Sequence, residues 1–405
     1  MDKKEAKYIT KLGQSYSSYS VPIAMEGNSR NAKNIPWVSW GEDNDYFDRL
    51  IELDEGSATN SRCISGIADM IFGEGIRAVG VDEVGSGQDA LDELFPPEEW
   101  LKIAHDLKKL GQGTVAVEYS ADKKRVVATR HFPSEKIRSG KADKYGVVKK
   151  YYYAPDWSDV TPNRPAKEIA AFGHGDKKDR TEILVLRKYA SGHFYYTPVD
   201  YHAALTYCQL EKEVGQFHVA NIQNGLNPML LLNFNNGIPD SGDMIEIEKN
   251  IVKKFGGSKN AGVPLMQWNE DKSNAATIES VVVPDIHEQY EFLANEGREK
   301  IMLGHGITSP ILLGIKDNTG FGNNAEELRT ASVLMDNILI KPFQDVLLRG
   351  VKKILAINKL KMDVYFKTLQ PIEFTELDNI ATSVVREKET GEQGGGEPSQ
   401  NEEQE

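Results

Sequence analysis

Residues 324–359 read as one long helix with a proline inside it, and that stretch limits what the chain can fold into. It opens with Asn324 and Glu327 at the spacing of a capping box. At 1.5 Å per residue it spans about 50 Å, more than the usual helix of a globular domain. Pro342 removes one backbone hydrogen bond and clashes with the preceding turn, so a kink or break is expected near residues 338–341. The residues just before it, Lys316 to Asn323, are polar and rich in Gly and Asn, with one aromatic, Phe321. A mobile loop on a rigid stalk suits contact with something that moves past it. Nothing in the stretch has catalytic character.

Two further long helices are legible. One runs over about 200–224, with Ala203, Tyr207, Leu210, Val214, Phe217 and Ala220 on a stripe and Asn224-Gly225 as its stop. Its length is about 35 Å. The other starts at Asp285 with Glu288 and carries Ile286, Tyr290, Leu293, Gly297 and Ile301. They bracket a small mixed insert: the strands MLLLNF, VPLMQW and TIESVVV and a charged helix over about 240–255. The stripes Tyr207/Val214/Phe217 and Tyr290/Leu293/Ile301 admit two accounts. They pack on each other within one chain, or they also line a contact between neighbouring copies. A free pair of helices this long has too little core of its own, which favours shared packing.

The N-terminal half is organised differently. Residues 1–36 are Ser/Asn/Lys-rich without periodicity and read as a loosely ordered arm. Tyr46, Leu50 and Leu53 mark one amphipathic helix; Cys63, Ile67, Met70 and Ile71 mark a second, closed by Gly73 and Gly75; residues 101–110 form a third. Residues 114–198 then give six short β runs, TVAVEYS, RVVATRHF, GVVKKYYY, EIAAF, EILVLRKY and HFYYTP, separated by turn chemistry. Hardly any helix-length segment intervenes, so antiparallel pairing is expected. Residues 362–368 read as a closing strand. Residues 371–405 read as an acidic tail expected to be disordered; from Arg386 on it has seven Glu against one Arg and one Lys.

At 405 residues the chain exceeds one ordinary core, and two or three sub-domains are expected. Its apolar fraction of 40% is low for a compact enzyme and fits a subunit whose faces are buried against neighbours. No apolar run approaches the ~20 residues of a membrane span, and the first ten residues lack a signal-peptide core, so the chain is read as soluble and intracellular. Cys63 and Cys208 are the two cysteines and read as buried thiols rather than a disulfide framework or metal site. A net charge of −13 argues against tight gripping of nucleic acid, yet suits a channel that must let a polyanion slide.

Catalytic patterns are missing. His174 in GHGD and His305 in GHGI lack a second His or a carboxylate at ligand spacing and read as turn or capping residues. FGGSKN lacks the full phosphate-loop pattern, having no G-K-[ST] after a strand, and GEG at residues 73–75 ends a helix where a dinucleotide site would begin one. There is no nucleophile elbow. The reading is a non-enzyme with no catalytic residues, no metal and no cofactor. The methionines 70, 229, 266, 302 and 335 read as core or interface filler. Lys123, Lys124 and Arg125 read as a solvated hairpin tip.

Three motifs, N-G-x-x-P at residues 224–228, F-G-G-x-x-N-A-G at 255–262 and G-I-T-S-P-x-x-L-G at 306–314, combine with the Pro342-bearing helix in a way that resembles portal proteins of tailed bacteriophages. The resemblance covers residues 37–369, with little of the helical crown of larger portals. It implies an α+β portal fold: a wing (37–199, helices then antiparallel β), a first stem helix (200–226), a small α/β clip (227–284), a second stem helix (285–304), a tunnel-loop region (305–323), and a long kinked wing helix with its closing strand (324–370).

On that resemblance the chain forms a ring, typically of twelve subunits, at one capsid vertex, assembled in the bacterial host cytoplasm. Double-stranded DNA passes through it without sequence preference during packaging and ejection. The ring docks the terminase large subunit, then head-tail adaptors, and meets the major capsid or scaffold protein; no membrane is involved. The tunnel-loop residues Lys316, Asn318, Thr319, Phe321, Asn323 and Asn324 would face the DNA. Lys253, Lys254 and Lys259 would present the clip to partners, and Tyr207, Val214, Phe217, Tyr290, Leu293 and Ile301 would form the stem interface. The alternative is a head-tail connector or scaffold ring that never touches DNA.

Overall fold

The computed structural model describes residues 21–27, 35–79, 86–223, 231–234, 265–268, 286–307, 309–315 and 325–368. Helices and antiparallel sheets are mixed, in agreement with an α+β reading. The first two helices, α1 (Tyr46–Gly56) and α2 (Ala58–Phe72), meet at Ser57, whose hydroxyl accepts from the Asn60 amide and caps α2. Cys63, Ile64, Ile67 and Ile71 line the fully buried side of α2. The strand β1 (Ile76–Ala78) and helices α3 (Ser86–Leu94) and α4 (Pro97–Leu110) follow. α4 has proline at its start, Glu98 and Glu99 in its first turn, and Lys108 and Lys109 in its last, as the helix dipole favours. It ends on Gly111 at φ 79°, where a Cβ would stand 2.4 Å from the Thr197 carbonyl oxygen, so glycine is required on two counts.

The β region forms two three-stranded antiparallel sheets. In the first, β2 (Gln112–Tyr119) lies between β3 (Val126–His131) and β7 (Thr181–Arg187). In the second, β5 (Lys150–Tyr153) lies between β4 (Ile137–Ser139) and β6 (Lys167–Ala170). α4 packs on the first sheet, with the Trp100 indole donating to the Thr129 hydroxyl at 3.0 Å. Five of the six expected runs contain a strand. The sixth, HFYYTP, does not: the Glu26 carboxylate takes the amides of Phe194, Tyr195 and Tyr196 at 2.7–3.0 Å, replacing a strand partner. The same contact corrects the loose-arm reading for residues 21–27, which are fixed on the core, while residues 1–20 and 28–34 lie outside the described residues. Gly27 and Gly41 add backbone bonds to Ser39 and Met25. The hairpin tip also differs from a solvated turn. Lys123 donates to the carbonyls of Gly175 and Asp176 and pairs with the buried Glu182 at 2.7 Å.

Two long helices leave this body: α5 (Leu205–Gln223), preceded by a 3-10 turn at His202–Ala204, and α6 (Ile286–His305). Between them the described strands β8 (Leu231–Phe234) and β9 (Leu265–Trp268) pair in parallel. The expected third helix is present as α7 (Ala325–Met335), a π-helical turn (Asp336–Ile340) and α8 (Lys341–Ile357). Pro342 therefore does not break the helix. The wider turn just before it gives the ring room where the Ile338 carbonyl would otherwise clash. Phe343, Leu347, Val351 and Ile354 bury α8 in the core. The closing strand β10 (Val364–Phe366) pairs with β1 across the whole described chain.

Candidate functional site

The structure offers a mechanical site: the root at which α5 and α6 are fixed to the body, beside the segment leading to residue 316. The six loop residues Lys316, Asn318, Thr319, Phe321, Asn323 and Asn324 lie outside the described residues, as do Lys253, Lys254 and Lys259. The six stem residues are described. Tyr207, Val214, Tyr290 and Leu293 are half-buried, Ile301 is wholly buried, and Phe217 is 41% exposed. The Phe217 and Tyr290 rings meet at 4.8 Å, so the two stripes do pack within one chain.

Burial falls along the pair. At the root, Leu205, Cys208, Ile301 and Met302 are in the core; farther out, Val219 is 53% and Phe292 66% exposed. Ala203, expected on the packed stripe, is exposed, because the 3-10 turn at the start rotates Ala204 and Leu205 inward instead. The close approach of α6 to this turn relies on Gly304, where a Cβ would sit 2.4 Å from the Ala204 Cβ.

Charged groups clamp the root. The Glu211 carboxylate on α5 accepts from the hydroxyls of Ser57 and Thr59, tying the stem to the α1–α2 corner. Lys212 pairs with Glu52 at 2.6 Å, and that ammonium holds the Glu52 carboxyl below its usual range. Lys108 is fully buried and donates to both Asp200 carboxylate oxygens at 2.8–2.9 Å. Burial pulls its ammonium below the ordinary lysine value and Asp200 opposes the pull.

His305 ends α6 inside the protein. It is neither a turn nor a capping residue: it is 1% exposed, its ring stacks on Tyr201 at 4.2 Å, and its Nε2–H donates to Asn60 Oδ1 at 2.9 Å. Asn60 offers only an acceptor there, so Nε2 carries the hydrogen. Burial, with Lys108 nearby, keeps the imidazole well below its ordinary value of 6.5. Its Nδ1 and the Asn60 Nδ2 are buried without a hydrogen-bond partner.

The segment beyond His305 is anchored to α2. Arg62 donates through Nε and one terminal nitrogen to the Leu313 carbonyl at 2.9 and 2.7 Å. Leu313 is buried against Gly66, where a Cβ would come within 2.6 Å of it. A 3-10 turn, Pro310–Leu313, precedes Gly314 in the left-handed region. Sequence reasoning had the G-I-T-S-P-x-x-L-G motif but not its partners. Nothing in the order of residues signals that Arg62, 251 positions away, caps that turn.

Cys63 and Cys208 are buried thiols, as expected, and burial pushes both up to about 12. Among the described residues no cluster of His, Cys, Asp and Glu has metal-holding geometry, and no helix is long and apolar enough to cross a membrane.

No family model matches the chain, and no curated protein does. Solved structures do. A chain from the neck of an empty gene transfer agent particle, computed with C6 symmetry, aligns at a TM-score of 0.54 and 15% identity, over 84% of this chain and 89% of that one. One from the neck of the native particle, computed with C12 symmetry, aligns at 0.52 and 14% identity, over 83% and 89%. An HK97-family phage portal protein from Corynebacterium diphtheriae gives 0.43 at 12% identity, over 79% and 94%. The fold is shared with the neck components across most of both chains.

Proposed function

We propose that this chain is a portal subunit, a non-enzymatic ring protein at a capsid vertex through which double-stranded DNA enters and leaves. The observation that carries the reading is the fold shared over 84% of the chain with a neck component computed with C6 symmetry, and nearly as widely with one computed with C12 symmetry. Exposed apolar side chains support a ring. Phe217, Val219 and Phe292 on the stem, and Val333 and Ile338 on α7 and its π-helical turn, are 41–71% exposed, and neighbouring copies in a closed cyclic array would cover them.

In this reading residues 37–199 and 324–370 form the wing, and α5 and α6 set the channel length. Residues 227–284, with Lys253, Lys254 and Lys259, form the clip that docks terminase and later a head-tail adaptor. Residues 316–324 lie against the DNA, with Lys316, Asn318, Thr319, Phe321, Asn323 and Asn324 making brief, sequence-blind contacts. The clamp built by Arg62, Leu313, His305 and Asn60 holds the base of that loop still. Twelve copies and a location in the virion follow from the same reading.

Electron microscopy of the purified chain, with native mass to count subunits, is the test. Closed rings with a hole wider than a DNA duplex are expected; monomers or compact dimers at high concentration would overturn the proposal. Deleting residues 316–323 separates a portal from a ring without DNA contact: packaging fails in the first and persists in the second, with rings intact in both.

A further inference from the structure

The C-terminal end of α8 carries a groove of about 580 Å³ lined by apolar and cationic side chains. Its apolar lining is Leu355, Leu360 and Met362; its cations are Lys352, Lys359 and Lys361, and its one acid is Asp363. Among the described residues, none of the three lysines has a carboxylate partner. The helix end is built to present them. Leu360 N donates to Leu355 O and Lys359 N to Ala356 O, the paired bonds of a Schellman motif. Its left-handed position is filled not by glycine but by Lys359, at φ 57°, a conformation that side chains rarely adopt.

Beside the groove runs β10, and only one of its edges is used. The Tyr365 backbone faces Arg77 on β1, in step with the bonds from Val79 to Asp363 and from Lys367 to Gly75. Antiparallel alternation therefore turns the N–H and C=O of Val364 and Phe366 to the opposite edge, where no described residue takes them. A two-stranded ribbon with an open edge is a template for a third strand.

We propose that the chain's own segment 371–379, PIEFTELDN, occupies this edge and groove. It begins three residues after Thr368, and a reversal at Gln370 and Pro371 brings it back antiparallel to β10. The distance back to Asp363 is about five residues, or ~17 Å, which the segment spans. Ile372 and Phe374 fall on one face of a strand, and Glu373, Glu376 and Asp378 supply three carboxylates without a cation, matching the lysines. The proposal narrows the expectation of a disordered tail by nine residues, and it does not depend on the portal reading.

Hydrogen exchange of the full chain against a chain ending at Thr368 tests it. The amides of Val364 and Phe366 are expected to exchange at least about tenfold more slowly in the full chain. A synthetic peptide of residues 369–379 should restore that protection to the shortened chain, and should fail once Lys352 and Lys361 are both replaced by Glu. The full-length Phe374→Asp variant should lose protection at the two amides while Ile354 stays protected, which separates docking from folding. Equal exchange in full and shortened chains, or equal protection by a scrambled peptide, would overturn the proposal. So would protection that disappears on dilution to monomers, since the segment would then come from a neighbouring copy.

Discussion

Arg62 grips the carbonyl of Leu313 with two guanidinium nitrogens, at 2.9 and 2.7 Å, and so fixes the segment before residue 316 to a helix of the central core. A charged, partly buried donor of this kind contributes about 1–3 kcal/mol. Arg62→Met should lower stability by that amount in urea unfolding and speed hydrogen exchange at the amides of 312–315. Arg62→Lys should recover less than half, because a point charge cannot reproduce the fork. Unchanged exchange in the Met variant would show that the burial of Leu313 suffices without the bond.

Two helical glycines in the stem have opposite surroundings. At Gly304 a Cβ would stand 2.4 Å from the Ala204 Cβ and 3.6 Å from its Cα, so Gly304→Ala should force α6 off its seat and cost about 1–3 kcal/mol. At Gly215 nothing lies within 4 Å, and Gly215→Ala should stabilise the isolated chain by about 0.5–1 kcal/mol through helix propensity. Thermal unfolding of the monomer measures both signs. If Gly215→Ala stabilises the monomer yet blocks rings in native mass measurements, a neighbouring copy packs closely against α5 at that glycine.

What the sequence disclosed was local and periodic. The long helices, the strand runs and the closing strand all rest on spacing within a window, and the long helices, five of the six runs in 114–198 and the closing strand appeared near their expected bounds. Long-range bonds were the hidden part. Glu26 stands in for a strand partner of residues 194–196, Glu211 reaches back to Ser57 and Thr59, and Asn358 brackets both backbone groups of Val126 at 2.7 and 2.9 Å, 232 residues away. No periodicity encodes such pairs. Pro342 illustrates an intermediate case: the sequence located the irregularity, while packing of α8 on the core decided for a π-helical turn over a break. His305 was misassigned because its neighbours Gly304 and Gly306 look like a turn, whereas Gly304 is there to let α6 approach Ala204.

Cys63 and Cys208 give a probe of opening at the stem root. Both thiols are buried and pushed up to about 12, so almost no thiolate is present near neutral pH in the native chain. Reaction with a disulfide reagent should be limited by unfolding, with both cysteines labelled together and at a rate that rises with urea. Fast labelling of Cys208 alone, without denaturant, would mean that α5 detaches from the body independently.

His305 makes part of the stability depend on pH, and the sign follows from its burial. Its folded value lies well below 6.5, so as pH falls the unfolded chain takes up the proton first. The contribution is complete above about pH 6.5 and is lost as pH drops below it, until the folded imidazole titrates in turn; the greatest slope is about 1.4 kcal/mol per pH unit. His202, also lowered by burial and by His193, acts in the same direction. Urea unfolding of the native chain and of His305→Asn across pH 7 to about pH 5 isolates the effect. The variant should be less stable at pH 7, because the stacking on Tyr201 is lost, yet should show the shallower decline toward acid. Parallel curves would mean that the imidazole charges freely in the folded state, which its burial and the nearby Lys108 ammonium oppose.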